Sequence, residues 1–427
     1  MNKEEKKLAL SGAEGIVPEL RFPEFGQAGD WDEKRLDEVA KVVTGSTPKT
    51  ADLENYGGDK LFVSPADISD GRYIDKTIKT LSEKGFSQSR VIPKNSILFV
   101  CIGSTIGKLA QNKIECTTNQ QINSLIPFKS TSNDFIYSLL EKNAAYIASL
   151  AAQQAVPLIN KSDFSAVKFY YPKNPKEQQK IAACLSSLDE VITAETEKLE
   201  LLQDHKKGLL QQLFPQEGDV TLSGVEGQPK FRFPEFKEDG DWQETTIGKL
   251  GGIVTGKTPS TKDESLWNGE ILFITPTDIS EDKYQKTTNR SVSRTDKMKI
   301  LPIGSIVYTC IASIGKIAIT TKESITNQQI NSVIPNKNIV SDFVYYLLVK
   351  LTPFIKSIPA TSTLPIINKT EFSQIKCSIP NPKEQQKIAA CLSAADDLIE
   401  AQIQKIEALQ GHKKGLLQQL FPQLSEL

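Results

Sequence analysis

One glycine-rich stretch of this sequence, Gly251-Gly-Ile-Val-Thr-Gly-Lys-Thr258, has the spacing of a phosphate-binding loop. In such loops backbone N–H groups and a lysine surround the phosphates of a nucleotide. The loop must follow a strand and precede a helix, so that the helix N-terminus faces the phosphates. Here a turn-like stretch, Pro259-Ser-Thr-Lys-Asp-Glu, follows instead. We expect a turn in which Lys257 can approach a phosphate, and nucleotide hydrolysis is the alternative.

Two Gly-Lys pairs follow apolar, strand-like runs. Gly107-Lys108 follows Ile97–Ile102, and Gly315-Lys316 follows Ser305–Cys310. Glycine is the usual residue in tight turns that need a positive φ, so a structural turn is the favoured interpretation. A phosphate contact by Lys108 and Lys316 is the alternative.

A run of amides occurs twice, as Thr118-Asn-Gln-Gln-Ile-Asn-Ser124 and Thr326-Asn-Gln-Gln-Ile-Asn-Ser332. Asn and Gln side chains can pair with adenine through two hydrogen bonds. The two copies are identical, however, so this segment cannot distinguish two different base sequences. We favour a structural hydrogen-bonding role, because buried amides commonly tie loops together.

Catalytic sets are not evident. Asp278 with Glu281-Asp-Lys283 has the order of a nuclease Asp…Glu-x-Lys set, but the first half of the chain lacks it. The chain has two histidines and six cysteines without a Cys-x-x-Cys pair, which disfavours structural zinc. Buried thiols rather than disulfides are expected. We predict no cofactor and no enzymatic activity.

These residues lie on an internal repeat that covers nearly all 427 residues. The first copy reads Arg21-Phe-Pro-Glu-Phe25, Gly29-Asp-Trp31, Thr44-Gly-Ser-Thr-Pro48 and Phe62-Val-Ser-Pro-Ala-Asp-Ile-Ser69. The second reads Arg232-Phe-Pro-Glu-Phe236, Gly240-Asp-Trp242, Thr255-Gly-Lys-Thr-Pro259 and Phe273-Ile-Thr-Pro-Thr-Asp-Ile-Ser280. Short β-like runs and one helical stretch in each copy (134–150 and 342–351, where Pro353 should end or kink the helix) predict α+β units. Shared segments are most simply scaffold.

Each copy ends in a long predicted helix with the apolar spacing of a coiled coil. The first helix starts at Pro175 and the second at Pro382, with the preceding Asn174 and Asn381 as N-caps. The polar breaks in the two ladders are Glu195 and Lys206, and Gln402 and Lys413. We predict that the two helices pack antiparallel. The ladder residues are Ile181, Leu185, Leu188, Ile192, Leu199, Leu202, Leu209 and Leu213, and Ile388, Leu392, Ala395, Ile399, Ile406, Leu409, Leu416 and Leu420.

Three segments differ between the copies, and the most informative pair is 70–94 against 281–302. Each segment holds six basic and three acidic residues, although the residue types at most matching positions differ. A preserved positive balance suits a surface that faces DNA phosphates, with base reading added. The alternative is a solvated loop with ordinary lysines. The amide pair Gln153-Gln154 and its counterpart Thr361-Ser362 are further base-contact candidates, with a helix-capping loop as the alternative.

The predicted DNA contacts are therefore basic, aromatic or polar residues of these loops and turns. In the first copy they are Ser46, Lys49, Arg72, Tyr73, Lys76, Lys79, Arg90, Lys108, Gln153, Gln154 and Lys161. In the second copy they are Lys257, Lys262, Lys283, Tyr284, Lys286, Arg290, Arg294, Lys316, Thr361, Ser362 and Lys369.

The sequence resembles the specificity subunit of type I restriction-modification systems. The resemblance rests on Pro175-Lys-Glu-Gln178 and Pro382-Lys-Glu-Gln385, each after an apolar strand, and on the Gly-Asp-Trp and Gly-(Ser/Lys)-Thr-Pro motifs. It implies two target-recognition domains that each read one half of a bipartite double-stranded DNA site. It also implies an antiparallel helical spacer, two bound adenine methyltransferase subunits, and restriction/translocase subunits that join them.

On this basis we expect a recognition domain at 1–172, a spacer helix at 173–216, a second recognition domain at 217–379 and a second spacer helix at 380–427. Because the reading loops differ, we expect an asymmetric target, with half-sites about one DNA turn apart. A cytoplasmic location is expected, because no apolar run reaches membrane length. A coiled-coil scaffold without DNA binding is the other alternative. Expected docking residues for the methyltransferase are Lys176, Glu177, Gln178, Lys180, Lys383, Glu384, Gln385 and Lys387.

Overall fold

A computed structural model describes residues 16–69, 71–151, 156–215, 220–221, 224–225, 228–358 and 365–422. The chain divides into two compact units. Unit 1 comprises residues 1–197 with 403–427, and unit 2 comprises residues 198–402. Each unit therefore contains one mixed α/β domain together with a part of each long helix.

The α/β domain of unit 1 is built from ten strands and four short or medium helices. They are β1 (Asp32–Arg35), α1 (Leu36–Val39), β2 (Ala40–Thr44), β3 (Tyr56–Val63), β4 (Tyr73–Ile74), β5 (Thr80–Leu81), α2 (Glu83–Ser87), β6 (Ile97–Val100), β7 (Leu109–Asn112), β8 (Cys116–Thr118), β9 (Ile122–Pro127), α3 (Asn133–Ser149), α4 (Lys161–Ala166) and β10 (Lys168–Tyr171). The first long helix, α5 (Pro175–Leu213), follows, and then the antiparallel pair β11 (Val220–Thr221) and β12 (Gly224–Val225).

The domain of unit 2 repeats this order, without a counterpart of α2 among its described residues. Its elements are β13 (Gln243–Thr246), α6 (Ile247–Leu250), β14 (Gly251–Thr255), β15 (Trp267–Ile274), β16 (Tyr284–Gln285), β17 (Ser291–Val292), β18 (Ile306–Thr309), β19 (Ile317–Thr320), β20 (Ser324–Thr326), β21 (Ile330–Pro335), α7 (Ser341–Ser357), α8 (Lys369–Gln374) and β22 (Lys376–Ile379). The second long helix, α9 (Pro382–Leu420), ends the described chain.

Both domains have the same sheet topology. Unit 1 has a five-stranded sheet in the order β2-β9-β6-β7-β4, a three-stranded sheet β5-β3-β8 and the pair β1-β10. Unit 2 has β14-β21-β18-β19-β16, β17-β15-β20 and β13-β22. In each five-stranded sheet the short edge strand (β4, β16) pairs parallel with its neighbour, and the other pairs are antiparallel. The predicted α+β class with two repeated domains is confirmed.

The central strand of each domain is buried on both faces, and alternate side chains enter different clusters. In β6, Phe99 packs with the apolar face of α3, including Phe135, whereas Leu98 packs with Leu61 of the three-stranded sheet. In unit 2, Tyr308 and Val307 of β18 divide in the same way. The sheet is therefore the middle layer, which explains why its strands read as continuous apolar runs.

The predicted helix at 342–351 extends further than expected. Helix α7 continues to Ser357 with Pro353 inside it. Proline lacks the N–H that an α-helix needs, but the helix continues because Leu351 and Ile355 remain buried on its core face. Tertiary packing therefore overrides the local proline signal. The other predicted helix, at 134–150, agrees with α3 within one residue at each end.

The long helices begin as predicted. The side-chain oxygens of Asn174 and Asn381 accept hydrogen bonds from the backbone N–H groups of Lys176 and Lys383, at 3.0 Å each. Each helix has 39 residues, which is roughly 60 Å at 1.5 Å per residue. The predicted ladder positions of both helices are all buried or half-buried. The apolar stripes are therefore covered along their length.

Polar breaks in the ladders form ion pairs between the two helices within each unit. In unit 1, Glu195 pairs with Lys405 at 2.6 Å, and Asp189 pairs with Lys413 at 2.5 Å. From the first pair to the second, the residue number decreases on α5 and increases on α9. The two segments therefore run antiparallel, as predicted. In unit 2, Lys206 pairs with Asp396. Such polar positions can fix the register of a helix pair.

Among the described residues, no helix is both long and apolar enough to cross a membrane.

Candidate nucleic-acid interface

The shared motifs form the frame that holds the loops of each domain. Thr44 donates to Asn123 at 2.7 Å, and Thr47 donates to Gln120 at 2.6 Å. Gly45 lies so close to this segment that a Cβ atom would be 2.1 Å from the carbonyl oxygen of Asn119. Unit 2 has the matching hydrogen bonds, Thr255 to Asn331 at 2.6 Å and Thr258 to Gln328 at 2.9 Å. The Asn-Gln-Gln motif thus has the structural role that we favoured.

The glycine-rich stretch of unit 2 does not form a phosphate-binding loop. Gly251–Thr255 is itself strand β14, and the segment after it contains no helix before the short 3₁₀ turn Glu264–Leu266. At Gly251 an added Cβ would be 2.0 Å from the carbonyl oxygen of Ile334 on the adjacent strand. Close strand packing therefore requires the glycine, and the nucleotide-hydrolysis alternative is wrong. Lys257 is exposed just after the strand.

The two Gly-Lys pairs are tight turns, as we favoured. Gly107 and Gly315 have φ values of 97° and 98°. The ammonium groups of Lys108 and Lys316 donate to the carbonyl oxygens of Ile68 and Ile279, both at 3.3 Å. Lys316 also donates to Pro276 at 2.8 Å. Both lysines therefore tie the turn to the Asp-Ile-Ser segment.

That segment starts the recognition loop, which we define as residues 64–81 in unit 1 and 275–292 in unit 2. Residue 70 lies outside the described residues. Asp67 accepts from Ser64 N–H at 2.8 Å and from Ile78 N–H at 2.6 Å, so one carboxylate joins the start of the loop to its far side. Asp278 does the same for Thr275 at 2.9 Å and Asn289 at 2.8 Å.

Arg72 and Lys283 were predicted to contact DNA, but both side chains anchor this loop from inside the domain. The prediction is therefore wrong for these two residues. Arg72 is only 3% exposed. Its guanidinium binds Asp134 of α3, and Asp189 of α5 at 3.0 Å. Lys283 bonds Asp342 at 2.5 Å and the Ser393 hydroxyl at 2.7 Å. Their charges are neutralised within the protein, so neither is available to DNA phosphates in this structure.

Aromatic residues surround the two anchoring cations. The guanidinium carbon of Arg72 is 4.4 Å from the ring centre of Tyr137 and 5.1 Å from that of Tyr73. Tyr73 is half-buried. Tyr284 is more exposed and donates to Asp342 at 2.8 Å. Burial and this carboxylate raise the pKa of Tyr284 to about 12, so the phenol remains a neutral hydrogen-bond donor. Both predicted tyrosines therefore lie at the base of the loop.

The remaining cations of the loops divide into paired and exposed groups. The guanidinium of Arg90 donates to the Thr44 carbonyl at 2.7 Å, and its backbone N–H donates to the Ser46 hydroxyl at 3.2 Å. Arg294 is ion-paired with Glu323. The exposed predicted contacts that remain are Lys49, Lys76, Lys79, Lys161, Lys257, Lys262, Lys286, Arg290 and Lys369.

Lys161 and Lys369 are the first residues of α4 and α8, after the N-caps Asn160 and Asn368. The side-chain oxygens of Asn160 and Asn368 accept from the N–H groups of Asp163 and Glu371 and so cap these helices. The predicted base contacts Gln153, Gln154, Thr361 and Ser362 lie outside the described residues.

The Lys-Glu-Gln-Gln-Lys motif has an internal role that sequence reasoning missed. Glu177 is 1% exposed and accepts from the Arg21 guanidinium at 2.7 and 2.8 Å and from the indole N–H of Trp31 at 3.2 Å. Gln178 donates to the Pro172 carbonyl at 3.3 Å. The motif thus fastens the N-terminal Arg-Phe-Pro-Glu-Phe segment to the start of α5. The Arg-Phe-Pro-Glu-Phe, Gly-Asp-Trp and Lys-Glu-Gln-Gln-Lys motifs occur together in both copies. This co-occurrence was the sequence signal that could have indicated a contact between them.

Unit 2 repeats this fastening. Glu384 accepts from Arg232 at 2.9 and 2.8 Å and from Trp242 at 3.3 Å, and Gln385 donates to Pro380 at 2.9 Å. The predicted docking role is therefore corrected for Glu177, Gln178, Glu384 and Gln385, because their side chains are buried. Lys176, Lys180, Lys383 and Lys387 are exposed.

A buried charge cluster lies under the recognition loop of unit 1. Lys413 of α9 is 7% exposed and pairs with Asp189 at 2.5 Å and with Glu141 of α3 at 2.6 Å. Burial raises the pKa of Glu141, and Lys413 opposes the shift only in part. One carboxylate oxygen of Glu141 is buried without a hydrogen-bond partner. The cluster links the loop anchor Arg72 to both long helices.

The central strands of the two domains each end near a cysteine. No group of three or more metal-binding side chains occurs within the described ranges. The repeat-equivalent Cys101 and Cys310 are buried, as predicted. Burial raises the pKa of Cys101 to about 12 and that of Cys310 to about 11, so these thiols stay protonated.

The sequence of this chain is similar to those of known proteins. The family model described as "Type I restriction modification DNA specificity domain" matches residues 28–204 and 239–409. The MjaIX specificity subunit of Methanocaldococcus jannaschii is 36% identical over 196 residues, which are 42% of this chain and 45% of that protein. The MjaVIII specificity subunit of the same organism is 23% identical, and the alignment covers 94% of this chain and 93% of that one.

Solved structures share the fold. The S subunit of a type I restriction-modification system from M. genitalium superposes with a TM-score of 0.60 at 18% identity, covering 96% of this chain and 100% of that one. A chain from a type I system studied for its assembly and conformational transition gives a TM-score of 0.55 at 16% identity, covering 92% and 97%.

Proposed function

Because this chain belongs to the family of type I restriction-modification DNA specificity subunits, we propose that each of its two domains reads one half of an asymmetric, bipartite DNA site. The observation that carries the proposal is a contrast within the repeat. The two domains share one sheet topology and one set of loop-fastening hydrogen bonds, yet they present different residues on the loops. Two identical readers would be expected to share those residues as well.

The DNA surface is assigned to the exposed cations of each recognition loop and its neighbouring turns. Unit 1 offers Lys76 and Lys79, and unit 2 offers Lys286 and Arg290, all exposed. Lysines that contact phosphates give affinity without sequence preference, because counterions are released from the DNA backbone. Base contacts must then supply the specificity.

The long helices have two proposed roles. They set the separation of the two half-sites, which we expect to lie about one DNA turn apart. They also bind two DNA adenine methyltransferase subunits, to which restriction/translocase subunits are added. The chain itself then supplies no catalytic group, and adenine methylation and cleavage are the work of its partners.

Methyltransferase docking is assigned to the exposed lysines at the helix starts. In unit 1, Glu24, Phe25, Lys176, Gln179, Lys180 and Ala183 line an open groove of about 560 Å³. Lys180 lies 3.3 Å from Glu24 on its edge, and Lys387 lies 3.2 Å from Glu235 in unit 2. Repetition of these residues suits two copies of one partner.

A DNA-binding experiment tests the proposal. The chain with its methyltransferase should shift one defined duplex, and its affinity should fall steeply between 50 and 200 mM salt, by about 10³-fold for six phosphate contacts. Equal binding of unrelated duplexes would contradict the proposal and favour a scaffold without sequence recognition.

Charge reversal tests the docking part separately. Lys176→Glu with Lys180→Glu should remove one methyltransferase copy from the complex, as measured by native mass spectrometry. Lys383→Glu with Lys387→Glu should remove the other. Retention of both copies in both variants would show that docking occurs elsewhere, without affecting the DNA-reading proposal.

A further inference from the structure

We propose that the pair Ile78-Lys79 reads bases for unit 1 and that the pair Asn289-Arg290 reads bases for unit 2. This inference rests on the proposed function and deepens it, since it names the residues that distinguish the two half-sites. The two pairs occupy the same place in the repeat and share no residue.

The backbone under both pairs is held in the same way. Asp67 accepts from Ile78 N–H at 2.6 Å, and Thr77 donates to the Lys79 carbonyl at 2.7 Å. In unit 2, the Asp278 carboxylate accepts from Asn289 N–H at 2.8 Å. Thr288 donates to the Arg290 carbonyl at 2.6 Å. Each pair is therefore presented on the same rigid support, which base reading requires.

The base of the loop is also fixed, so the support cannot shift easily. Arg72 and Lys283 are buried in ion pairs with acidic residues of the helices behind the loop. Immediately after each pair, Thr80 pairs with Leu61 of β3, and Ser291 pairs with Leu272 of β15. The exposed residues between these anchors therefore lie on a fixed part of the backbone.

Ile78 is 77% exposed. Isolated exposed apolar residues are common on protein surfaces, and Leu53 and Leu201 are exposed to a similar degree. Ile78 differs from them in its position, because its backbone N–H is held by Asp67 within the recognition loop. A single exposed apolar residue at the tip of a fixed loop is suited to the C5-methyl group of thymine in the major groove. Lys79 beside it can donate to guanine O6 and N7 or to a phosphate.

In unit 2 the guanidinium of Arg290 is fixed by an aromatic ring. Its central carbon lies 3.4 Å from the ring centre of Trp267, a distance that only face-to-face stacking allows. The indole is itself held, because its N–H donates to the Ser260 carbonyl at 3.0 Å. A stacked arginine keeps its N–H edge free for hydrogen bonding and loses little entropy on binding.

This arrangement suits guanine, which arginine binds through two hydrogen bonds to O6 and N7. Asn289 beside it is exposed and can bind adenine through N6 and N7. The two units thus differ at one place in the manner needed for two different half-sites. The charge of both tips stays positive, which preserves attraction to DNA.

An exchange of the two pairs tests the inference in the assembled system. The double variants Ile78→Asn/Lys79→Arg and Asn289→Ile/Arg290→Lys are expressed with the partner subunits in a host without other adenine methylation. Single-molecule sequencing then gives the methylated motif. The control is Ile114→Asn, because Ile114 is also 50% exposed but lies on the turn after β7. Each exchange should change one or two base pairs in one half-site only, and the control should leave the motif intact.

A binding measurement covers the case in which a variant methylates nothing. Arg290→Lys keeps the charge and should reduce discrimination at one guanine roughly ten- to a hundred-fold, with an unchanged salt dependence. An unaltered motif in both exchanges, or an equal loss of affinity for every single-base variant of the site, would overturn the inference. A wild-type chain that yields no bipartite motif would instead contradict the proposed function.

Discussion

Glu177 holds the guanidinium of Arg21 through two hydrogen bonds of 2.7 and 2.8 Å, although 156 residues separate them in the chain. Glu384 and Arg232 form the same pair in unit 2. The pair closes each recognition domain onto the start of its own long helix. It also explains, without any partner, why both copies of the Lys-Glu-Gln-Gln-Lys motif contain this glutamate.

Loss of this carboxylate should destabilise unit 1 strongly. Glu177→Gln leaves the Arg21 charge without its counter-ion next to Trp31, and removing one partner of a buried pair costs about 3 kcal/mol. Hydrogen exchange in increasing urea resolves the protection of unit 1 from that of unit 2. The exposed neighbour Lys176→Gln is the control, with an expected change within about 0.5 kcal/mol. Similar protection in the two variants would refute the fastening role.

The repeat-equivalent lysines of the two helices should differ in their importance. Lys413→Met removes a side chain that is 9% exposed and leaves Asp189 and Glu141 close together, at a cost of about 3 kcal/mol to unit 1. Lys206→Met is the matched control in unit 2, because its side chain is 29% exposed and should cost about 1 kcal/mol or less. Equal losses of unfolding free energy would contradict the conclusion that Lys413 is buried and that its repeat equivalent Lys206 is not.

Glu141 should give unit 1 a distinctive pH dependence. Its pKa is raised by burial, so between the ordinary glutamate value of 4.5 and the raised value the folded unit binds a proton that the unfolded chain does not. The free energy of unfolding therefore falls as the pH rises through this window. Glu141→Gln should remove that slope, as measured by urea denaturation between pH 4.5 and 7.5. An identical slope in both proteins would contradict the shift.

Two glycines should respond to alanine in opposite directions. At Gly45 a Cβ would lie 2.1 Å from the Asn119 carbonyl oxygen, so Gly45→Ala must displace the Asn-Gln-Gln segment and destabilise unit 1 by more than about 1 kcal/mol. At Gly208, inside α5, a Cβ meets nothing within 4 Å, and Gly208→Ala should stabilise by about 0.5–1 kcal/mol. Thermal unfolding of the two variants measures both changes in stability. A Gly45→Ala variant as stable as the wild type would contradict the close contact between Gly45 and the Asn119 carbonyl.

The repeat made the fold accessible to sequence reasoning. The repeated sequence motifs located the two domains. The spacing of apolar residues from Ile181 to Leu213 and from Ile388 to Leu420 predicted the paired helices. The N-caps Asn174 and Asn381 followed from local chemistry. Pro353 does not end helix α7, because the local proline signal carries no information about the core packing of Ile355.

The residues of the candidate site were harder to predict from the sequence, because the charge of a residue does not show whether its side chain is buried. Arg72 and Lys283 counted as basic loop residues, and only the structure places them in ion pairs with Asp134 and Asp342. Glu177 was taken as surface for the same reason. Partners that are distant in sequence decide both cases, whereas the exposed Lys76 and Lys286 required no such knowledge.

The adenine-methylation motif of a host that carries this chain with its partner subunits shows whether the two domains read different half-sites. Single-molecule sequencing of the genome reports every methylated site. We expect one bipartite motif with two different half-sites, because the two recognition loops present different residues on the same support. A palindromic motif with identical half-sites, or the absence of a bipartite motif, would contradict it.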